Sequence, residues 1–140
     1  MLSKEELDKV TESIRSAESQ TSGEIRVCVA KHCKGSPIDA AVAKFHQLKM
    51  ENTQLRNSVL IYVCPDDHKA AILGDTGIHE AAIEGFWDNA LEEMLSYFRK
   101  EMIVDGICQG VGKVGELIKA HYPIAENDVN ELCDDVILEE

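Results

Sequence analysis

Apolar residues recur at Leu7, Val10, Ile14 and Ala17, the three-to-four spacing of a helix with one buried stripe. Leu2-Ser3-x-x-Glu6-Leu7 ahead of them predicts a capping box with a hydrophobic staple, and the helix should end near Gln20, before the turn "TSGE". The period then changes. "IRVCVA" is alternating and partly continuous, which predicts a strand from about Glu24 to Lys31. Ser36-Pro37 opens a second helix, proline at the first helical position, with Ile38, Ala41, Val42, Phe45 and Leu48 inward. "RNSVLIYVC" is almost wholly apolar, as a strand covered on both faces should be, and "AAILGD" follows after the short turn "PDDHK". Two further helices are expected, one over Phe86, Trp87, Ala90, Leu91, Met94, Leu95 and Phe98, the other from near Gly106 to Pro123.

This order predicts an α/β fold with a small mixed sheet sandwiched between helices. Strand one, helix two and strand two form a βαβ unit, so those strands should be parallel with a right-handed crossover. Strand three returns antiparallel from the hairpin. Residues 1–123 should make one domain, and 124–140 an acidic tail that docks on it.

The chain has 140 residues, with 26 acids against 14 Lys and Arg, and a net charge of −12. That field repels phosphate backbones and anionic lipid, which argues against nucleic-acid and membrane-surface partners and suits cations. No apolar run approaches the roughly 20 residues of a membrane span, and no signal-peptide pattern opens the chain. Five cysteines without framework spacing (28, 33, 64, 108 and 133) suggest free thiols in a reducing, cytoplasmic setting.

The hairpin direction brings the end of strand three beside the starts of strands one and two. Thr21, Ser22, Glu24, Arg56, Asn57 and Asp75 should meet at that edge, near the backbone amides of the helix that starts at Thr76. Two carboxylates and an amide oxygen are a hard-oxygen set suited to Ca²⁺ or Mg²⁺, and Asp88 would add a third acid if its helix packs over the edge. Gly74 and Gly77 flank the acid and permit unusual dihedrals or close approach to a ligand. The alternative is purely structural: Asp75 or Thr76 caps the helix, Glu24 pairs with Arg56, and Asp88 complements a helix dipole. At the opposite edge His32, Cys33, Cys64 and His68 allow a zinc site; the alternative is core thiols with solvent-facing histidines.

The succession "AESQTSGEIRVCV", "RNSVLIYVC", "AAILGDTGI", "FWDNALEEM" and "NELCDD" resembles the TPM domain family, in its single-domain bacterial branch, from about Leu2 to Leu132. The resemblance implies an α/β sandwich around a small sheet. It also implies divalent-cation binding, calcium included, through acids at the sheet edge, since some members bind such ions. A plant member is described as an acid phosphatase. Carried over by motif, the metal positions are Asp75 of "GDTGI", Asp88 of "FWD", Glu24 of "SGEI" and Asn57 of "RN", with Arg56 beside them. The departures are specific. Many relatives have a signal peptide and a transmembrane tail, which are expected to be absent here. Secreted relatives often read "GYG" near Asp75, and where others read "NELP" this chain has Cys133.

Two functions follow as expectations. The first is a divalent-cation-binding module that serves binding or protein interaction. The second is a metal-dependent acid phosphatase acting on a small phosphoester, with Asp75 and Asp88 on the metal and Arg56 steadying the anion. Only one basic residue stands among these acids, which favours the first.

Overall fold

The computed structural model describes residues 2–123 and 136–139, so the expected acidic tail, Cys133 included, lies outside the described residues except for 136–139. Helix α1 is Lys4–Glu18, and its capping box is formed: the Ser3 amide donates to Glu6 Oε1 at 2.8 Å and the Glu6 amide to Ser3 Oγ at 3.2 Å. Then come β1 (Glu24–Ala30), α2 (Pro37–Gln47), β2 (Ser58–Cys64), a 3-10 turn (Pro65–Asp67), β3 (Lys69–Gly74), α3 (Thr76–Ala81), α4 (Phe86–Arg99), α5 (Ile103–His121) and β4 (Ile137–Glu139). His68 leaves the 3-10 turn in the left-handed region, φ 52°, which reverses the chain into β3. Among the described residues no helix is long and apolar enough to cross a membrane.

The sheet order is β3-β2-β1-β4, with β1 and β2 parallel and β3 antiparallel to β2. Period-two alternation divides its side chains into two cores. Val27, Val29, Ile61 and Ile72 face α1, α4 and α5 in the larger one. Cys28, Leu60, Tyr62 and Ala71 face α2 in the smaller one, with Ala41 and Phe45. Every residue of β2 is buried, as its continuous apolar run requires.

Three features differ from the sequence pattern. Helix α5 begins at Ile103 rather than at Gly106, because Gly106 is an interior packing position: a Cβ there would lie 2.8 Å from Phe98 Cε1. On α2, Ala41 and Phe45 are buried, but Ile38 and Val42 remain 44% and 38% exposed. Ile137–Glu139 forms a strand parallel to β1, fixed where Glu139 accepts from Tyr62 Oη at 3.2 Å and pairs with Lys44 at 2.7 Å. The local sequence has no strand-length apolar run there, so this strand depends on its partners.

The smaller core makes the fold sensitive to alkali. Burial pushes the Cys28 thiol up to about 11, and burial with the Cys64–Asp67 hydrogen bond does the same to Cys64. Burial, then the charge of Glu139, raises Tyr62. The folded chain therefore holds these protons more tightly than the unfolded one. Their contribution is complete below the ordinary thiol value of 9.0 and is lost as pH rises towards about 11. Urea titrations across that window should show stability falling steadily, with a flatter profile in the Cys28→Ala/Cys64→Ala double variant. Equal slopes in the two proteins would contradict this account.

Candidate functional site

The parallel register sets Glu24 opposite Ser58, and the Asp75 amide donates to Ser58 O at 2.9 Å on the other side. Glu24, Ser58 and Asp75 thus form a row across three chain segments at one end of the sheet. Their common parity with Cys28, Leu60 and Leu73 puts them on the α2 face. Two strand spacings separate the backbones of Glu24 and Asp75, about 10 Å. Both acids are buried, and Ser58 Oγ is committed, donating to Met50 O at 2.9 Å.

Asp75 is the N-cap of α3 in extended conformation, with Oδ1 accepting from the Thr76 amide at 2.8 Å. The same carboxylate holds Arg56 in a two-pronged bridge: Nε donates to Oδ2 at 2.7 Å and Nη2 to Oδ1 at 2.9 Å. The hydrogen bond and then the charge of Asp75 keep the guanidinium's pKa above its ordinary value. Arg56 itself sits at φ 51° and its carbonyl accepts from the Gly77 amide at 2.8 Å, so the loop before β2 and the first turn of α3 fix each other. A cavity of about 410 Å³ opens over this bridge, walled by Val42, Phe45, His46, Leu73 and His79.

The capping and ion-pairing alternative is thus present in this geometry, with one change: the partner of Arg56 is Asp75, not Glu24. Asn57 does not join the row. It is buried, but it precedes Ser58 and so has the opposite parity, and its Nδ2 has no hydrogen-bond partner among the described residues. Asp88 does not join it either. It is exposed in the first turn of α4 and lines a separate cavity of about 340 Å³ beside Ile38 and Trp87. Gly74 and Gly77 give close approach to the protein's own parts, Trp87 and the Leu55 and Arg56 carbonyls, rather than unusual dihedrals. Among the described residues no three of His, Cys, Asp and Glu are grouped to hold a metal ion.

At the opposite edge the organising group is Asp67, which the sequence reading missed. Its Oδ2 accepts from the Cys33 amide at 3.0 Å and from Cys64 Sγ at 3.3 Å. Those bonds hold the Asp67 carboxyl below its ordinary range. His68 turns away to Glu101, at 3.3 Å. The available signal was an acid just after a proline at a strand end, where a side-chain oxygen readily caps a turn.

A small mixed sheet with one helix on one face and three on the other, its acid row at the strand ends, defines an α/β sandwich class. Within that class the chain belongs to the TPM domain family, whose family model matches residues 1–117. It is similar to the BA42 protein of the psychrophilic bacterium Bizionia argentinensis, at 36% identity over 99% of this chain and 95% of that one, with a TM-score of 0.89. Two further structures share the fold at low identity. One is the N-terminal domain of cg2496 from Corynebacterium glutamicum, at 12% identity and TM-score 0.67, covering 95% of this chain and 83% of that chain. The other is the N-terminal domain of a P. gingivalis protein, at 16% identity and TM-score 0.69, covering 86% and 78%. No curated protein matches the chain.

Proposed function

We propose that this TPM domain is a divalent-cation-binding module. Asp75 and Glu24 would supply carboxylate oxygens for Ca²⁺ or Mg²⁺, and Arg56 would act as a displaceable counter-charge. The observation that carries this reading is the asymmetry of the bridge: the Asp75 side chain is 5% exposed and that of Arg56 is 47% exposed. A buried carboxylate needs a positive partner, because taking it from water uncompensated is costly. A half-exposed guanidinium can withdraw into solvent without a comparable loss, leaving Oδ2 to a hard cation and Oδ1 shared between it and the Thr76 amide. Two carboxylates fall short of the six to eight oxygens calcium takes, so water would complete the shell and the affinity would be modest. Phosphomonoester hydrolysis has less support, since the guanidinium it needs for the anion is engaged by Asp75.

Titration of the protein with CaCl₂ and MgCl₂, followed by amide chemical shifts and melting temperature, tests this. Calcium should shift the amides of Ser58, Asp75 and Thr76 and raise the melting temperature, an effect that Asp75→Asn removes. Arg56→Gln should bind about tenfold more tightly, the equivalent of 1.4 kcal/mol, because the competing cation is gone. Weaker binding by Arg56→Gln, or an unchanged response in Asp75→Asn, would sink the reading. Metal-dependent turnover of p-nitrophenyl phosphate, lost in Asp75→Asn, would establish the hydrolase instead.

A further inference from the structure

We propose that the edge of β1 beneath β4 is a peptide-reading site, filled here by the chain's own β4, whose further ligand is an extended segment of another protein with the pattern acid-x-apolar-x-acid. Strand β4 has three residues and pairs with only Cys28, Val29 and Ala30 of the seven-residue β1. Those three residues are fully buried with β4 in place, so this edge accepts a parallel strand. The Lys31 amide donates to Glu139 O at 2.8 Å, which turns the backbone groups of Val29 and Lys31 towards β4 and those of Ile137 and Glu139 towards β1. The Ile25 amide, of the same parity, is taken by Glu18 Oε2 at 2.6 Å. The edge that a strand can use therefore runs from Val27 to Lys31.

The side chains that read the strand lie on the α2 face. Ile137 packs against the smaller core. Two residues on, Glu139 accepts from Tyr62 Oη at 3.2 Å and pairs with Lys44 at 2.7 Å. The Lys44 side chain is only 13% exposed, and a cation so covered requires an acid beside it. Arg26 is the third reader. It precedes Cys28 by two residues and shares its face, and its charge acts on the Cys28 thiol together with those of Lys44 and Glu139. Arg26 Nε is buried and has no hydrogen-bond partner among the described residues. The parallel register of Cys28 with Ile137 sets Arg26 opposite the position two residues before the apolar one. An acid there and an acid at the place of Glu139 would meet Arg26 and Lys44, with the apolar side chain seated between them. Leu138 faces the other way and is 50% exposed, so its position is unselective.

Two cations at one strand edge invert the local field of a chain that carries −12, so an acidic segment is attracted here against the general repulsion. Strand β4 is then a resident competitor. A three-residue ladder belongs to the least stable part of a fold, but a tethered segment meets its site at an effective concentration on the order of millimolar. A partner that fills the edge from Val27 and engages Arg26 makes contacts that the three residues of β4 do not. A second copy fits less well. Its β4 offers the same three residues, and two acidic chains repel.

The test uses the full chain carrying Ile137→Asp and Glu139→Lys, which unseats β4, with unchanged amide shifts at Ile61 and Ile72 showing that the sheet stands. A random peptide library selected on this variant should enrich acid-x-apolar-x-acid. The synthetic peptide "DVILE", the sequence of residues 135–139, should shift the amides of Val29 and Lys31. It should bind the wild type at least tenfold more weakly, because the resident strand competes. N-methylation of its glutamate nitrogen, which faces β1, should weaken binding at least tenfold, and methylation of its leucine nitrogen should not. Arg26→Glu in the unseated chain should make a lysine at the first peptide position better than the aspartate. The double variant Lys44→Glu/Glu139→Lys rebuilds the resident bridge with its charges exchanged, and it should prefer "DVILK" to "DVILE". The proposal is overturned if neither variant shows its peptide preference, if both methylated peptides bind alike, or if the wild type binds as tightly as the unseated chain. It is equally overturned if the wild type forms a dimer that Glu139→Lys dissolves, since the occupant is then a second copy.

Discussion

Replacing Gly77 by alanine should destabilise the protein by about 3 kcal/mol, the upper part of the range for overpacking a tight site. Helix propensity alone predicts the opposite sign, since alanine outranks glycine inside a helix by up to about 1 kcal/mol. Packing decides it. A Cβ at position 77 would meet Leu55 O at 2.4 Å and Arg56 O at 2.8 Å, both backbone atoms that cannot rotate aside. The new methyl would push α3 off the loop, break the Gly77–Arg56 backbone bond and pull Arg56 from Asp75. The melting temperature should fall by about 10 °C for a chain of this size, and the Arg56 Nε resonance should lose its bridged position. Gly112→Ala is the matched control: nothing lies within 4 Å of its Cβ in the middle of α5, so it should stabilise by up to about 1 kcal/mol. A neutral Gly77→Ala would show that the loop yields, and that the geometry around Arg56 is softer than its contacts imply.

The second large effect lies away from the acid row. Phe98→Ala should cost about 3–5 kcal/mol, because a fully buried ring would leave a cavity that its neighbours only partly fill. Phe98 seals α4 against α5 at Gly106, a position where no side chain could take up the space without moving the ring itself. The loss should appear in urea and thermal unfolding alike, with the calcium-induced shifts proposed for Ser58 and Asp75 unchanged wherever the variant is folded. If Phe98→Ala also abolished those shifts, the acid row would be reporting global stability rather than a local site.

Much of this architecture could be read from periodicity. The capping box at Ser3, the buried run of β2 and the hairpin into β3 each rest on local rules, and topology then correctly gathered Glu24, Arg56 and Asp75 at one edge. Two of the expected positions stand apart from the row. Asn57 lies near Asp75 along the edge, but parity turns it to the other face, and a one-residue step is enough to do so. Asp88 would join the edge only if α4 packed over it, and helix docking is set by contacts such as Trp87 on Gly74 that no local pattern encodes. Strand β4 has only three residues, and Glu139 reaches Tyr62 and Lys44 across most of the chain's length.

By itself, the sequence determined the order and type of the principal elements, the two-sided burial of the central strand and the acidic field. These depend on the 2.0 and 3.6 periods, on turn chemistry and on composition, all local or additive quantities. Only the tertiary structure decided that Asp75 neutralises Arg56 and that Asn57 and Asp88 lie apart from the row of Glu24 and Asp75. Those outcomes depend on register, parity and the seating of helices. In each, a shift of one residue or a few ångströms changes which side chains meet.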